Sequence, residues 1–210
     1  MKVTVKQEYR QFLNEHFSGY EVKAPLFYNW EYSLRFDLQV GGTDTEEYFK
    51  EVYRRSIALF EASFNKNDKA FIVPNQYKIK RSKIKLSSYA FKQVADLKKS
   101  EVGYLTRRQL YERDDLWNQA VAKVQIRRVT YQNILKAIAN TDFPRVPRVN
   151  TEVFFINLDK KLVYNMYDDR GLDIVAKDME TLRPLYTEFN SWILDYDREA
   201  IDQKMKKNKL

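Results

Sequence analysis

The spacing of hydrophobic residues along the chain predicts helices mixed with short strands. Residues 5–17 place apolar side chains three and four positions apart, which is the period of an amphipathic helix. Residues 34–40 alternate strictly between apolar and polar, which indicates a half-buried strand, and Gly41-Gly42 ends it. Thr43-Asp-Thr-Glu46 fits a capping box, so a second amphipathic helix should run from there to about Phe64.

The middle of the chain has a weaker pattern. Residues 70–73 predict a short buried strand that ends at Pro74, and Lys83–Leu86 alternates as a strand does. Hydrophobic residues between 88 and 118 indicate a helix without clear caps. Residues 121–129 alternate again, and a short amphipathic helix follows Thr130.

The last third has the clearest pattern. Three short strands, 152–158, 162–167 and 172–176, are separated by tight turns, which is typical of an antiparallel meander. Helical segments follow, the first interrupted at Pro184. The sequence therefore predicts an α+β fold, in which an antiparallel sheet that includes the C-terminal meander is packed by several amphipathic helices. We expect one domain over 1–210, with a basic insertion at 76–119 and a distinct C-terminal region at 150–203.

Composition excludes several classes of function. Hydrophobic residues make up 44% of the chain, which is enough for a sizeable core. The absence of cysteine excludes disulfides and thiolate chemistry, and a single histidine leaves His-based triads and zinc sites without partners. Glycine-rich phosphate loops are absent, and no long apolar run is present. We therefore expect a cytoplasmic protein without a cofactor.

The net charge of +8 lies entirely in residues 76–113, which hold eleven basic and three acidic residues. Three interpretations stay open: a solvated face or exposed arm, a surface that follows nucleic-acid phosphates, and a surface for an acidic protein partner. The basic residues selected as candidates for such a patch are Lys78, Lys80, Arg81, Lys83, Lys85, Arg107 and Arg108.

The motif Tyr-Asp-Asp-Arg-Gly at 167–171 is the main candidate for chemistry. Asp168 and Gly171 fit a hairpin turn, in which the aspartate accepts from the amide two residues on and the glycine adopts a left-handed conformation. Asp169 and Arg170 would then point outward, and the turn requires neither them nor Asp173. We interpret Asp169, Arg170 and Asp173 as a contact surface for a partner, because an arginine among carboxylates would repel a metal ion. No metal site and no catalytic residue are predicted.

The stretches YDDRGLDIVA at 167–176 and WILDYDRE at 192–199, with Leu185-Tyr186 between them, resemble an uncharacterised bacterial family recognised by its YDDRG motif. The resemblance covers the last quarter of the chain and implies no established activity or site residue. Small proteins of this kind, in bacteria rich in polymorphic toxins, are often immunity proteins, so the resemblance implies a protein that covers a toxin partner.

The leading hypothesis is a non-enzymatic protein-binding module, with an immunity or antitoxin-like role. Two alternatives remain: a nucleic-acid-binding accessory protein that uses residues 76–113, and a carboxylate-based metal-dependent hydrolase centred on the hairpin at 168–173. The identity of the partner and the oligomeric state are left open.

Overall fold

The computed structural model describes residues 3–207 and contains one seven-stranded antiparallel sheet with the strand order β1-β7-β6-β5-β2-β4-β3. The predicted α+β fold is confirmed. The strands are β1 (Ser33–Asp37), β2 (Lys69–Tyr77), β3 (Val102–Arg108), β4 (Leu116–Gln125), β5 (Glu152–Asn157), β6 (Leu162–Met166) and β7 (Gly171–Ala176).

Seven α-helical segments lie within the described residues. They are α1 (Val5–His16), α2 (Leu26–Asn29), α3 (Glu46–Ser63), α4 (Tyr89–Lys92), α5 (Tyr131–Ala139), α6 (Met179–Glu188) and α7 (Asp195–Lys207). Between residues 3 and 207, no helix combines the length and the apolar character that crossing a membrane requires.

Helices cover the sheet on both faces, and each face has its own hydrophobic core. On one face α3, α5 and α6 bury side chains such as Phe60 and Leu182. On the other face α1 and the segment that follows it bury Tyr9 and Phe17. Because side chains alternate along a strand, β5 sends Phe155 into the first core and its neighbour Phe154 into the second. The central strands are consequently buried on both sides.

The predicted C-terminal meander is confirmed. Strands β5, β6 and β7 follow one another in antiparallel register, with Ile156 opposite Val163 and Val163 opposite Val175. Strand β1 adds to the outer side of β7, so the half-buried strand predicted near residue 34 extends the meander.

Several predicted boundaries are wrong. The N-cap of α3 is Thr45, whose hydroxyl accepts from the Tyr48 amide at 3.1 Å, and Thr43 plays no part in the cap. Helix α6 continues past Pro184 to Glu188, although a proline inside a helix removes one amide donor and crowds the carbonyl four residues earlier. Lys83–Leu86 forms no strand.

Strand β2 continues through Pro74 to Tyr77 at the centre of the sheet. Pairing of β2 with β5 is continuous there, whereas pairing with β4 is interrupted at Val73 and Pro74. The proline has no amide to donate, and it lies where the β2–β4 hydrogen bonds are already interrupted. The basic insertion predicted at 76–119 contains β3 and the start of β4. It is therefore part of the sheet and not a separate arm.

Candidate functional site

One end of the sheet gathers nearly all the residues selected from the sequence. Strands β1, β2, β3 and β6 end there, and β4, β5 and β7 begin there. We call this the loop end of the sheet; its connections are residues 38–45, 78–88, 109–115, 140–151 and 167–170. An acidic loop, a small cavity and a basic groove lie at this end.

Asp173 lies in the interior, not on a contact surface. It stands opposite Arg35 across strands β7 and β1, and it is 0% exposed. The Arg35 guanidinium donates to both carboxylate oxygens, from Nε at 2.7 Å and from Nη2 at 3.0 Å. The Phe27 amide donates to the same carboxylate at 3.0 Å. The expectation that Asp173 contacts a partner is wrong, because the side chain is fully buried in an ion pair with Arg35.

Aromatic rings and a second carboxylate surround the Arg35 guanidinium. The rings of Tyr28 and Phe27 have their centroids 4.5 and 5.0 Å from its central carbon. The ring of Tyr167, from the YDDRG motif, lies 5.8 Å away. Asp197, from α7, approaches Nη1 at 3.5 Å. The motif and the tryptophan-containing stretch near 197 are therefore linked through one buried arginine.

The acidic loop at 167–170 also differs from an exposed hairpin tip. Asp168 accepts from the Arg170 amide at 2.8 Å, as predicted, and forms an ion pair with the guanidinium of the same arginine. Asp169 was expected to point outward, but it is 3% exposed and accepts a hydrogen bond from the Tyr48 hydroxyl on α3. Within the loop, Tyr167 and Arg170 are exposed and the two aspartates are buried.

Gly171 does not adopt the predicted left-handed conformation, since the glycines with positive φ among the described residues are Gly19 and Gly41. A Cβ at this position would lie 2.9 Å from the Phe36 carbonyl oxygen and closer still to the Tyr167 hydroxyl. The glycine is required because β1 and the tyrosine approach the backbone closely.

The carboxylates that come together are not the three proposed for a hydrolase. Oxygen atoms of Asp142, Asp168 and Asp169 lie within 4.8 Å of one another, whereas Asp173 belongs to the Arg35 pair. Arg170 already neutralises Asp168, and Tyr48 donates to Asp169. A hard cation would have to displace both partners, so the cluster alone does not define a metal site.

Burial raises the pKa of Asp169, and the hydrogen bond from Tyr48 opposes this rise. A raised pKa in the folded state means that protonation favours folding, so this carboxyl lowers stability as the pH rises through its folded pKa. We expect Tyr48→Phe to lower the free energy of unfolding by about 1.5–3 kcal/mol at pH 7, because a buried charge loses its donor. The loss should shrink in acid, where Asp169 is protonated.

Urea unfolding at pH 7 and near pH 4 measures both parts of this prediction. Tyr186→Phe is the matched control, because the Tyr186 hydroxyl donates to Asp202 at 2.8 Å in a partly exposed position. That change should cost less than about 1 kcal/mol. A Tyr48→Phe variant as stable as Tyr186→Phe at pH 7 would show that Asp169 does not depend on this donor.

A row of polar side chains crosses the α1 face of the sheet at the loop end. Arg107 Nε donates to Gln119 Oε1 at 3.0 Å, and Gln119 Nε2 donates to Asn75 Oδ1 at 2.9 Å. Asn75 Nδ2 in turn donates to the Val22 carbonyl at 3.0 Å. The Arg35–Asp173 pair stands on the same face at the far side of the sheet. The row therefore fixes the chain segment that follows α1.

Beside this row lies a cavity of about 320 Å³. Its polar lining includes Asn75, Glu152 and Asn165, and its aromatic lining includes Tyr77, Trp117 and Tyr167. The Tyr111 hydroxyl donates to Glu152 at 2.6 Å, and burial raises the pKa of this carboxyl. No basic residue is among the described residues that line the cavity.

A larger open groove of about 900 Å³ follows strand β3 at the edge of the sheet. Strand β3 pairs with β4 on one side and with no strand of the described chain on the other. Of the selected basic residues, Lys78, Lys80, Arg81 and Lys83 line the groove, together with Lys6 from α1.

The remaining selected basic residues lie apart from the groove lining. Lys85 and Arg108 are exposed, whereas Arg107 belongs to the polar row and pairs with Glu21 at 3.3 Å. The groove wall is held in shape by a tight turn: the Ile79 amide donates to the Ser82 hydroxyl at 3.0 Å, and Asn118 donates to the Ser82 carbonyl at 2.9 Å.

A family model described as "Domain of unknown function (DUF3885)" matches residues 9–197. The chain belongs to the DUF3885 family. The match extends far beyond the C-terminal quarter that carries the YDDRG resemblance, and it includes the acidic loop and all of the groove lining except Lys6. The family is an uncharacterised bacterial one.

One relative is "Uncharacterized protein YnaE" of Bacillus subtilis (strain 168), which is 27% identical over 209 residues. The alignment covers 88% of this chain and 96% of that protein. No solved structure matches the chain.

Sequence reasoning missed the polar row and the cavity. Their members are isolated polar residues within apolar strands, such as Asn75 after Pro74 and Asn165 between Tyr164 and Met166. A polar residue at a position that should face a core is the signal that could have found them, because buried polar groups need partners.

Proposed function

We propose that this DUF3885 chain is a non-enzymatic, cytoplasmic protein-binding module whose basic groove receives an acidic, extended segment of a partner protein. The observation that carries the proposal is the groove along β3. It is lined by five basic residues and by no acidic one among the described residues. Its lysines and arginine form no ion pair within residues 3–207, so their charge is available to a partner.

The free edge of β3 favours a protein over a nucleic acid. An edge strand presents unpaired backbone amides and carbonyls, and an extended peptide satisfies them by adding a strand. The basic side chains beside the edge would then select an acidic sequence by complementary charge. Tyr104 on β3 is 49% exposed and offers a flat surface for side chains of that segment.

A non-enzymatic role fits the partners of the three candidate carboxylates. Arg170 engages Asp168, Tyr48 engages Asp169, and Arg35 engages Asp173. In a more specific form of the proposal, the partner is a toxin encoded nearby and the chain is its immunity or antitoxin-like protein. That form depends on the family resemblance and would be supported by a stoichiometric partner from a neighbouring reading frame.

We expect Lys80→Glu/Lys83→Glu to weaken binding of an acidic partner at least about tenfold at low salt, because two attractive charges become repulsive. Lys50→Glu/Lys92→Glu is the matched control: both lysines are exposed and lie outside the groove, and the net charge changes equally. A synthetic polyglutamate peptide, measured by fluorescence anisotropy, is the probe.

Hydrogen exchange distinguishes the proposed mode from simple charge attraction. Strand addition should protect amides within residues 102–108 when the peptide binds. Equal weakening by the two double variants, or no added protection in β3, would contradict the proposal. Tighter binding of a single-stranded oligonucleotide than of the peptide, with an affinity that falls steeply with salt, would favour the nucleic-acid alternative.

A further inference from the structure

The cavity of about 320 Å³ at the loop end of the sheet has a lining whose charge is opposite to that of the whole protein. The chain carries a net charge of +8, yet Glu152 is the only ionisable acid or base among the described lining residues, apart from tyrosine hydroxyls. Asn75 and Asn165 contribute amides to the same lining. The volume is at the lower end of the range for small-molecule sites.

Glu152 retains capacity to accept a further hydrogen bond. Its Oε1 accepts from Tyr111 at 2.6 Å, and its Oε2 accepts a long bond from Asn75 at 3.4 Å. An ionised carboxylate accepts about four hydrogen bonds, so roughly two positions remain. Lys23, which lies 5.7 Å from the Tyr111 ring centroid, donates to the Leu110 carbonyl and does not neutralise Glu152.

Asn165 supplies a second acceptor. The side chain is 1% exposed, and its Oδ1 accepts no hydrogen bond within residues 3–207. Its Nδ2 faces the carbonyl oxygens of Val153 and Met166, at 3.2 and 3.5 Å, so exchanging the two ends of the amide would place oxygen against oxygen. A buried acceptor without a donor is costly unless a ligand or water supplies one.

Aromatic rings complete the lining. Tyr77 and Trp117 meet edge to face with their centroids 5.6 Å apart, and Tyr167 also lines the cavity. The faces of such rings attract cations. The lining thus combines a carboxylate, an amide oxygen without a donor and aromatic rings, and among the described residues it holds no basic one. These groups suit a cation that also donates hydrogen bonds.

We propose that this cavity binds a small organic cation of the alkylammonium or guanidinium class. The ligand's charged group would sit between Glu152 and the aromatic rings, and its N–H groups would reach the Asn165 oxygen. The site is independent of the basic groove, which attracts the opposite charge.

Calorimetric titration of the full chain with n-butylamine and N-methylguanidine, both of which carry N–H groups, tests the proposal. We expect saturable binding of at least one of the two, with an affinity at least about tenfold above that of its neutral counterpart. The counterparts are n-butanol for the amine and N-methylurea for the guanidine. No saturable binding of either cation at about 10 mM, or equal binding of cation and neutral counterpart, would overturn the proposal.

Variants locate the binding. Glu152→Gln keeps the shape and the acceptor for Tyr111 but removes the charge, and it should abolish the preference for the cation. Glu47→Gln is the matched control, since Glu47 is exposed and outside the cavity, and should leave binding unchanged. If Glu152→Gln fails to fold, Tyr77→Ala serves instead, because that ring is 53% exposed; it should weaken binding about two- to fivefold.

Asp142→Asn separates the cavity from the neighbouring acidic cluster. Asp142 is exposed and does not line the cavity, so its replacement should leave the affinity for the cation unchanged. Binding that is lost in Asp142→Asn but retained in Glu152→Gln would place the cation at the acidic cluster and overturn the assignment to the cavity.

Discussion

Replacing Arg35 by methionine should lower the free energy of unfolding by about 3–5 kcal/mol. Methionine preserves much of the length and packing of the side chain but leaves Asp173 buried without its cation. The carboxylate is 0% exposed, and the Phe27 amide at 3.0 Å would be its remaining donor. Since small domains are stable by only about 5–15 kcal/mol, this loss should be plain in denaturant unfolding.

Two further variants test the physical reason. Arg35→Met/Asp173→Asn should be more stable than Arg35→Met alone, because asparagine keeps an acceptor for Phe27 and removes the unpaired charge. Arg54→Met is the control: this arginine pairs with Glu51 at the surface, with 55% of its side chain exposed, and its loss should cost at most about 1 kcal/mol. Similar losses for Arg35→Met and Arg54→Met would mean that the buried pair contributes no more than a surface one.

The C-terminal meander could be predicted because its signals are local. Each strand is short and apolar, and turn residues lie between the strands, so adjacent segments pair with their nearest neighbours in sequence. Helices α1 and α3 were predicted for the same reason, since their apolar stripes repeat within a few turns.

The region 76–119 could not be interpreted because its signals are not local. Strand β4 begins in this region, but its first four residues, Leu-Trp-Asn-Gln at 116–119, do not alternate between apolar and polar. Strand β3 lies at the edge and carries polar residues on both sides. Its place in the sheet is fixed by pairing with β4, which no pattern within β3 itself reveals.

The site was misjudged for a related reason. A charged motif at a hairpin suggests an exposed tip, because charges are usually solvated. Here Asp169 is buried by Tyr48, which precedes it by 121 residues, and Asp173 by Arg35, which precedes it by 138 residues. The motif therefore joins β1, α3 and the meander at one end of the sheet. Asp169 and Asp173 contact partners inside the fold. The charged surface that a partner could reach is the basic groove.

Gly171→Ala should destabilise the fold by about 1–3 kcal/mol or more, although it adds a single methyl group to a glycine without positive φ. The new Cβ would lie 2.9 Å from the Phe36 carbonyl oxygen, which belongs to β1 and cannot move without disturbing the pairing of β1 with β7. Gly42→Ala is the control, since nothing lies within 4 Å of its Cβ position, and it should be neutral or slightly stabilising. In a Tyr167→Ala background, Gly171→Ala should still be destabilising, because the backbone contact remains after the tyrosine is gone. Thermal unfolding of Gly171→Ala, Gly42→Ala, Tyr167→Ala and Gly171→Ala/Tyr167→Ala tests this prediction. A Gly171→Ala protein as stable as Gly42→Ala would show that β1 does not lie as close to the motif as it does in the structure.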